Sequence, residues 1–255
     1  MIQVDWPAPA RVRVLSTTRQ GGVSTGAWGL VSGLSGGLNL GLHLGDNAGH
    51  YEVNRARVRD RVGRPILWMD QVHATHVLDA DAIDLQAATE VPVADAAICT
   101  STDRALCIMT ADCLPVLFSD PQGCCVGAAH AGWRGLLGGV LENTVSALRA
   151  RIGASVELLA WFGPAIGPQA FEVGEEVRQA FVERDPAADQ AFRPAGARGK
   201  WLADLEHLAR QRLAECGAVS VYGGGLCTVG DPARFYSHRR DRVSGRMASL
   251  IWLAD

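Results

Sequence analysis

Apolar and polar positions alternate over residues 11 to 18 (R-V-R-V-L-S-T-T), the period-two pattern of a half-buried strand. The stretch Gln20 to Asn47 follows no period. It is rich in Gly, Ser, Leu and Asn but too apolar for a disordered linker, which predicts an ordered irregular loop. Helical spacing returns over 50 to 62, with Val53, Val58 and Val62 near one face. Residues 65 to 79 read as strand, the word Q-V-H, and strand again.

R-A-L-C-I-M-T (104 to 110) reads as a buried strand, and L-P-V-L-F-S (114 to 119) as its continuation past Asp112-Cys113. Asp120-Pro121-Gln122-Gly123 has turn composition, and C-C-V-G-A-A-H (124 to 130) returns as a second strand. A two-residue loop at Pro121-Gln122 places Cys113 directly opposite His130, on one face and about 4.5–5.5 Å apart at Cβ. The same four residues also suit a type I turn with a glycine bulge. That slips the register by one and sends the two side chains to opposite faces. Pro115, which cannot donate to a ladder, adds a break near Cys113.

Downstream, 136 to 152 reads as an amphipathic helix ended by Gly153, and 156 to 162 as a strand. A helix from about Glu172 to Glu183, an exposed loop over 184 to 200, a helix over 202 to 216 and strands near 219 to 229 and 246 to 253 complete the chain. There is no internal repeat and no composition break. The mixture with a hairpin predicts one α+β domain over 1–255, with mixed β-sheets flanked by helices.

Composition narrows the partners. The chain has 255 residues, 48% hydrophobic and 20% charged, with a net charge of -3. Its 24 basic residues are scattered among 27 acids, so the stripe a nucleic-acid binder needs is missing. The one dense basic cluster, His238-Arg239-Arg240-Asp241-Arg242, is short and contains an acid. No secretory pattern opens the chain and no run is long enough to span a membrane. Seven cysteines without framework spacing suit free thiols in a reducing cytoplasm.

Three residues in locally distinctive words carry the candidate chemistry: His73 in Q-V-H, Cys113 in T-A-D-C-L-P-V-L, and His130 in A-A-H-A-G-W-R-G. Two imidazoles and a thiolate suit a metal with one open coordination position, the catalytic rather than the structural arrangement of zinc. His76 is an equal local candidate to His73, and His43 and His238 are reserve ligands. Arg55 is either a solvated helix residue or an anion contact. Trp133-Arg134 either stacks on a substrate base or seals the core. The glycines of L-N-L-G-L-H-L-G-D and G-P-A-I-G-P match no phosphate-binding fingerprint.

These words occur in order with T-T-R-Q-G-G-V-S (17 to 24), L-N-L-G-L-H-L-G-D-N (38 to 47), N-R (54 to 55), G-P-A-I-G-P-Q-A-F-E-V-G (163 to 174) and F-Y-S-H-R-R-D-R-V-S-G-R (235 to 246). Together they resemble the YfiH family, also called the multicopper polyphenol oxidase or laccase-domain family. The resemblance implies a YfiH-type fold, shared with cytotoxic necrotizing factor, and a metal, most often zinc, on His73, Cys113 and His130. It implies phosphorolysis of adenosine, inosine, guanosine and S-methyl-5'-thioadenosine, with adenosine deaminase activity beside it. It gives Arg55 a substrate or phosphate contact. Ala74 stands where glycine is usual and F-Y-S-H replaces F-F-S-Y, which bears on pocket shape.

Nucleosides and phosphate are then the partners, without nucleic acid or membrane, in a monomer or weak homodimer. Asp112 is a candidate to protonate the leaving base, with a structural hydrogen-bond role as its alternative. One rival is a copper oxidase of phenols. A multicopper centre needs paired H-x-H ligands, and the seven histidines here form none. A second is a hydrolase with Cys113 as nucleophile and His130 as base, editing peptidoglycan precursors. A third is a silent binding module.

Overall fold

The alternating strand near the N-terminus finds its partner at the far end of the chain. In the computed structural model, which describes residues 1–42, 44–87 and 90–255, Val12–Ser16 runs antiparallel to Met247–Leu253, with Val14 opposite Ile251. Met247–Leu253 also pairs with Ala105–Thr110, and Ile66–Leu67 adds in parallel to complete a four-stranded sheet. A six-stranded sheet follows the order Val219–Gly223, Leu158–Phe162, Leu114–Ser119, Val126–Ala131, Ala96–Cys99, Val77–Asp79. A three-stranded ribbon is built from Glu172–Gly174, Lys200–Ala203 and Phe192–Pro194.

Strand alternation explains the layering. Leu106, Ile108, Leu117, Val126, Ala128 and Ile251 fill the space between the two large sheets. The opposite residues of the same strands, such as Val116, Phe118 and Ala129, turn to helices Val140–Ile152 and Leu205–Glu215. Helix Ala48–Val62 covers the outer face of the four-stranded sheet through Val58 and Val62. The architecture is α+β, with mixed sheets flanked by helices, as the pattern predicts.

Several details differ from the sequence reading. Leu114–Ser119 does not prolong Ala105–Thr110 but enters the other sheet, and the chain turns at Asp112 with φ 95°. Neither expected hairpin register occurs: Pro115, not Cys113, lies opposite His130, and the ladder closes at Ser119 opposite Val126. The buried Asp120 carboxylate is the cause. It accepts backbone N–H bonds from Gln122, Cys124 and Cys125, which holds a wider connection than a two-residue loop. The displacement is two residues, an even number, so Cys113 and His130 stay on the same, inter-sheet face. Asp120→Ala would strand the buried Cys125 N–H and is expected to cost about 1–3 kcal/mol in denaturant unfolding.

The helix expected over 136 to 152 is two, Trp133–Gly138 and Val140–Ile152, broken where Gly139 adopts φ 103°. Helix Glu175–Arg184 begins only after the strand Glu172–Gly174, and Leu205–Glu215 only after the cap Asp204. The supposed loop over 184 to 200 holds the turn Pro186–Ala191 and a strand, with Ala188, Ala191 and Phe192 buried. Near 219 to 229 only Val219–Gly223 is strand. Val53 is exposed, leaving Val58 and Val62 on the buried face. The irregular stretch before that helix is ordered from inside. Asn54, fully buried, donates to Ser24 Oγ and to the Gly37 and Asn39 carbonyls and accepts from Val23 N–H. His43 lies outside the described residues. The seven cysteines are all free thiols.

Candidate metal centre and active site

Two segments carry the chain from the four-stranded sheet into the six-stranded one, and each bears a ligand candidate. Cys113 follows the Asp112 turn between Ala105–Thr110 and Leu114–Ser119. His73 lies between Ile66–Leu67 and Val77–Asp79, itself at φ 62°. His130 sits near the end of Val126–Ala131 and points into the same seam. The ligand atoms of His73, Cys113 and His130 lie within 4.8 Å of one another, and Cys113 Sγ is 3.7 Å from His73 Nε2. Bonds of about 2.0–2.3 Å at a tetrahedral angle put two ligand atoms about 3.6 Å apart, so the donors fit a small ion. His130 is buried and Cys113 half-buried, but His73 is exposed, so the open side of the centre faces solvent past His73.

A residue that sequence reasoning missed organises this geometry. Asp95, fully buried just before Ala96–Cys99, accepts His130 Nδ1–H at 2.8 Å. That fixes the tautomer and leaves His130 Nε2 free to ligate. The same carboxylate accepts the N–H groups of Val72, His73 and Ala74 at 3.2, 2.9 and 2.7 Å. These bonds hold the left-handed turn that aims His73. One carboxylate therefore sets two of the three ligands. The only hint in the sequence is an acid preceding a run of small apolar residues, a common sight.

Gly132, opposite Cys113 by extension of the register, makes room. A Cβ there would lie 2.8 Å from His73 Cδ2 and 3.0 Å from Cys113 Sγ. Electrostatics favour an ionised centre. Burial works to raise the Cys113 thiol, but the positive charge on His130 and hydrogen bonds from both imidazoles overcome it and bring the thiol down to about 6. Burial likewise opposes charge on His130, yet the Cys113 thiolate and Asp95 carry it up to about 9. Asp95 stays below the usual carboxylate range: burial pushes it upward, and the His130 and backbone bonds outweigh that.

The other candidates fall elsewhere. His76 contributes only its backbone carbonyl, to Asp95 and Ala96 N–H. His238 opens the one-turn helix His238–Asp241 and is outside the cluster. Arg55 touches none of the three. Its guanidinium lies 3.7 Å from the Trp68 ring and 4.6 Å from Tyr51, and donates to Leu40 O and Met109 Sδ. Trp133 packs on the core with Arg134 stacked over it. Asp112 has both oxygens engaged, by Thr228 Oγ1–H at 2.5 Å and Arg239 N–H at 2.6 Å, which selects its structural role.

The model of the family described as multi-copper polyphenol oxidoreductase laccase matches residues 13–254. The chain belongs to this family, which is the YfiH family. Among its members, a purine nucleoside phosphorylase of Pseudomonas aeruginosa is 50% identical over 98% of this chain and 97% of its own. The purine nucleoside phosphorylase YfiH of Escherichia coli is 46% identical over 99% and 98%. A Neisseria meningitidis protein of known structure superposes with a TM-score of 0.89 at 48% identity, covering 98% of both chains. YlmD from Geobacillus stearothermophilus gives 0.84 at 30% identity, over 96% of this chain and 93% of its own. The YfiH-type fold extends along nearly the whole chain.

Proposed function

We propose that this chain is a zinc-dependent purine nucleoside phosphorylase acting on adenosine, inosine, guanosine and S-methyl-5'-thioadenosine. The observation that carries the reading is its end-to-end identity, at 50%, with a protein named purine nucleoside phosphorylase. His73, Cys113 and His130 are its metal and active-site residues, and a mixed imidazole–thiolate set with an open side suits zinc. Such an ion, when bound, polarises an oxygen or lowers the pKa of a bound water. In phosphorolysis an oxygen of HPO₄²⁻ bonds to the sugar C1′ as the C1′–N9 bond breaks. The base leaves with the electron pair and takes up the proton that phosphate gives up, leaving sugar 1-phosphate. Asp95 keeps both imidazoles aimed, and Asp112 holds the Cys113 turn rather than protonating the base.

Deamination of adenosine is a second activity of the same site, since a water held there would add its oxygen to purine C6 and pass its proton to the amino nitrogen, and breaking the C6–N6 bond would release ammonia. The family's name includes copper. Among the described residues, however, one cluster of three donors is present, enough for one ion rather than several. Among the described residues, no helix is long and apolar enough to cross a membrane, and we place the protein in the cytoplasm as one domain over 1–255.

Base release from inosine and adenosine, with and without phosphate, tests the reading. Wild-type release should require phosphate, and Cys113→Ala should lower it on the order of a thousandfold, the scale of several kcal/mol of lost stabilisation. Adenosine turning to inosine without phosphate marks the deaminase. No turnover of either nucleoside by metal-loaded protein sinks the proposal and favours Cys113–His130 hydrolysis of a peptidoglycan precursor.

A further inference from the structure

The arginines of this chain divide by what they serve. Arg104, Arg151, Arg178, Arg184, Arg212, Arg234 and Arg240 each pair with a carboxylate. Arg19 spends its donors on the Gly29 and Pro232 carbonyls, and Arg149 on those of Cys216 and Gly217. Arg55 is enclosed by two aromatic rings.

Arg246 is different. It continues the strand Met247–Leu253, where the register of Met247 with Thr110 carries Arg246 opposite Ala111, two residues before Cys113. Its backbone is fixed on both sides: its N–H donates to Asn39 Oδ1 and its carbonyl accepts from Leu40 N–H. Its side chain runs over Gly41, where a Cβ would lie 2.8 Å from Arg246 Cγ. Burial pushes the guanidinium below its ordinary value, and the negative charges that oppose this are Cys113 and Asp112. Asp112 has both oxygens occupied by other donors. Among the described residues Arg246 forms no ion pair. Among the described residues only Nη1 is engaged, with the Ser244 and Gly245 carbonyls of its own turn. Nε and Nη2 are not sealed in the interior and keep access to solvent.

We propose that Arg246 forms an oxyanion seat beside the His73–Cys113–His130 centre and takes inorganic phosphate as the co-substrate. A half-buried guanidinium without a counter-ion is costly to keep, and a ligand anion supplies the missing partner. Its two remaining nitrogen donors form the fork that matches two phosphate oxygens. The inference rests on the phosphorolysis reading for its substrate, while the seat itself is a matter of binding.

The test therefore measures binding and turnover separately. Metal-loaded wild type, Arg246→Gln and Arg246→Lys are titrated with inorganic phosphate and followed by ³¹P line broadening. The Michaelis constants for phosphate and for inosine are measured on the same samples. Arg246→Gln should weaken phosphate on the order of tenfold or more, the cost of a charge-assisted bidentate pair, and leave the inosine constant within about twofold. Lysine, a point charge without the fork, should recover part of the loss. Unchanged phosphate binding in a folded Arg246→Gln protein overturns the seat, as does a wild type that binds no phosphate. If the glutamine variant does not fold, phosphate binding by Arg246→Lys equal to wild type overturns the seat in its place. A changed Cys113 alkylation rate with unchanged phosphate binding would mean that Arg246 serves the thiolate alone, again overturning the seat. Phosphate bound through Arg246 without any nucleoside turnover supports the seat and removes phosphorolysis instead.

Discussion

Asp95→Ala is expected to lower metal affinity by about 10–100-fold or more, because the removed group orients ligands rather than donating to the ion. It should also cost roughly 3–5 kcal/mol of stability, the usual consequence of removing one partner from a buried pair. Four donors converge on this carboxylate, three of them backbone N–H groups around the left-handed His73. Without it the strain at His73 has nothing opposing it and His130 can bind through either nitrogen. Asp95→Asn separates the two effects. Its amide keeps the volume but turns one acceptor into a donor facing N–H groups, so folding should survive better than the metal site. Chelator competition and denaturant unfolding on both variants check this. Wild-type metal affinity in Asp95→Asn would refute the role given to the carboxylate.

Gly132→Ala is expected to lose activity by about 100-fold, the effect of displacing catalytic groups by an ångström, with little loss of stability. The backbone at Gly132, φ -66° and ψ 157°, is open to any residue, so no conformational penalty applies. The added methyl meets His73 and Cys113 side chains at 2.8 and 3.0 Å, and they must part. Turnover and metal stoichiometry, with thermal unfolding as the control, decide the matter. Activity near wild type would show that the centre can spread without harm.

How far this was legible depends on whether a feature is local. His73, Cys113 and His130 stood out because each interrupts an apolar pattern with a reactive group, and the structure does gather them. The α+β class followed from the alternation of short strands and helices. The hairpin register was not readable, since Asp120 reaches along its own turn to hold Cys124 and Cys125, a contact that spacing rules do not count. Asp95 was invisible because its three amide donors lie more than twenty residues upstream. Arg55 drew attention as part of the N-R pair, yet it is Asn54 beside it that binds the irregular loop. The segment from 184 to 200 looked polar enough to be free, and the burial of Ala188, Ala191 and Phe192 depends on surfaces the local pattern does not contain.

The pairing of Met247–Leu253 with both Val12–Ser16 and Ala105–Thr110 bears on how the molecule is made. The strand synthesised last among them occupies the middle of its sheet. Until it arrives, the first strand has no neighbour, and Ala105–Thr110 has one side open to any passing edge. Assembly of that layer is a long-range closure, the slow kind, and waits until Met247–Leu253 has been made. The growing chain must keep two apolar edges apart until Met247–Leu253 brings them together.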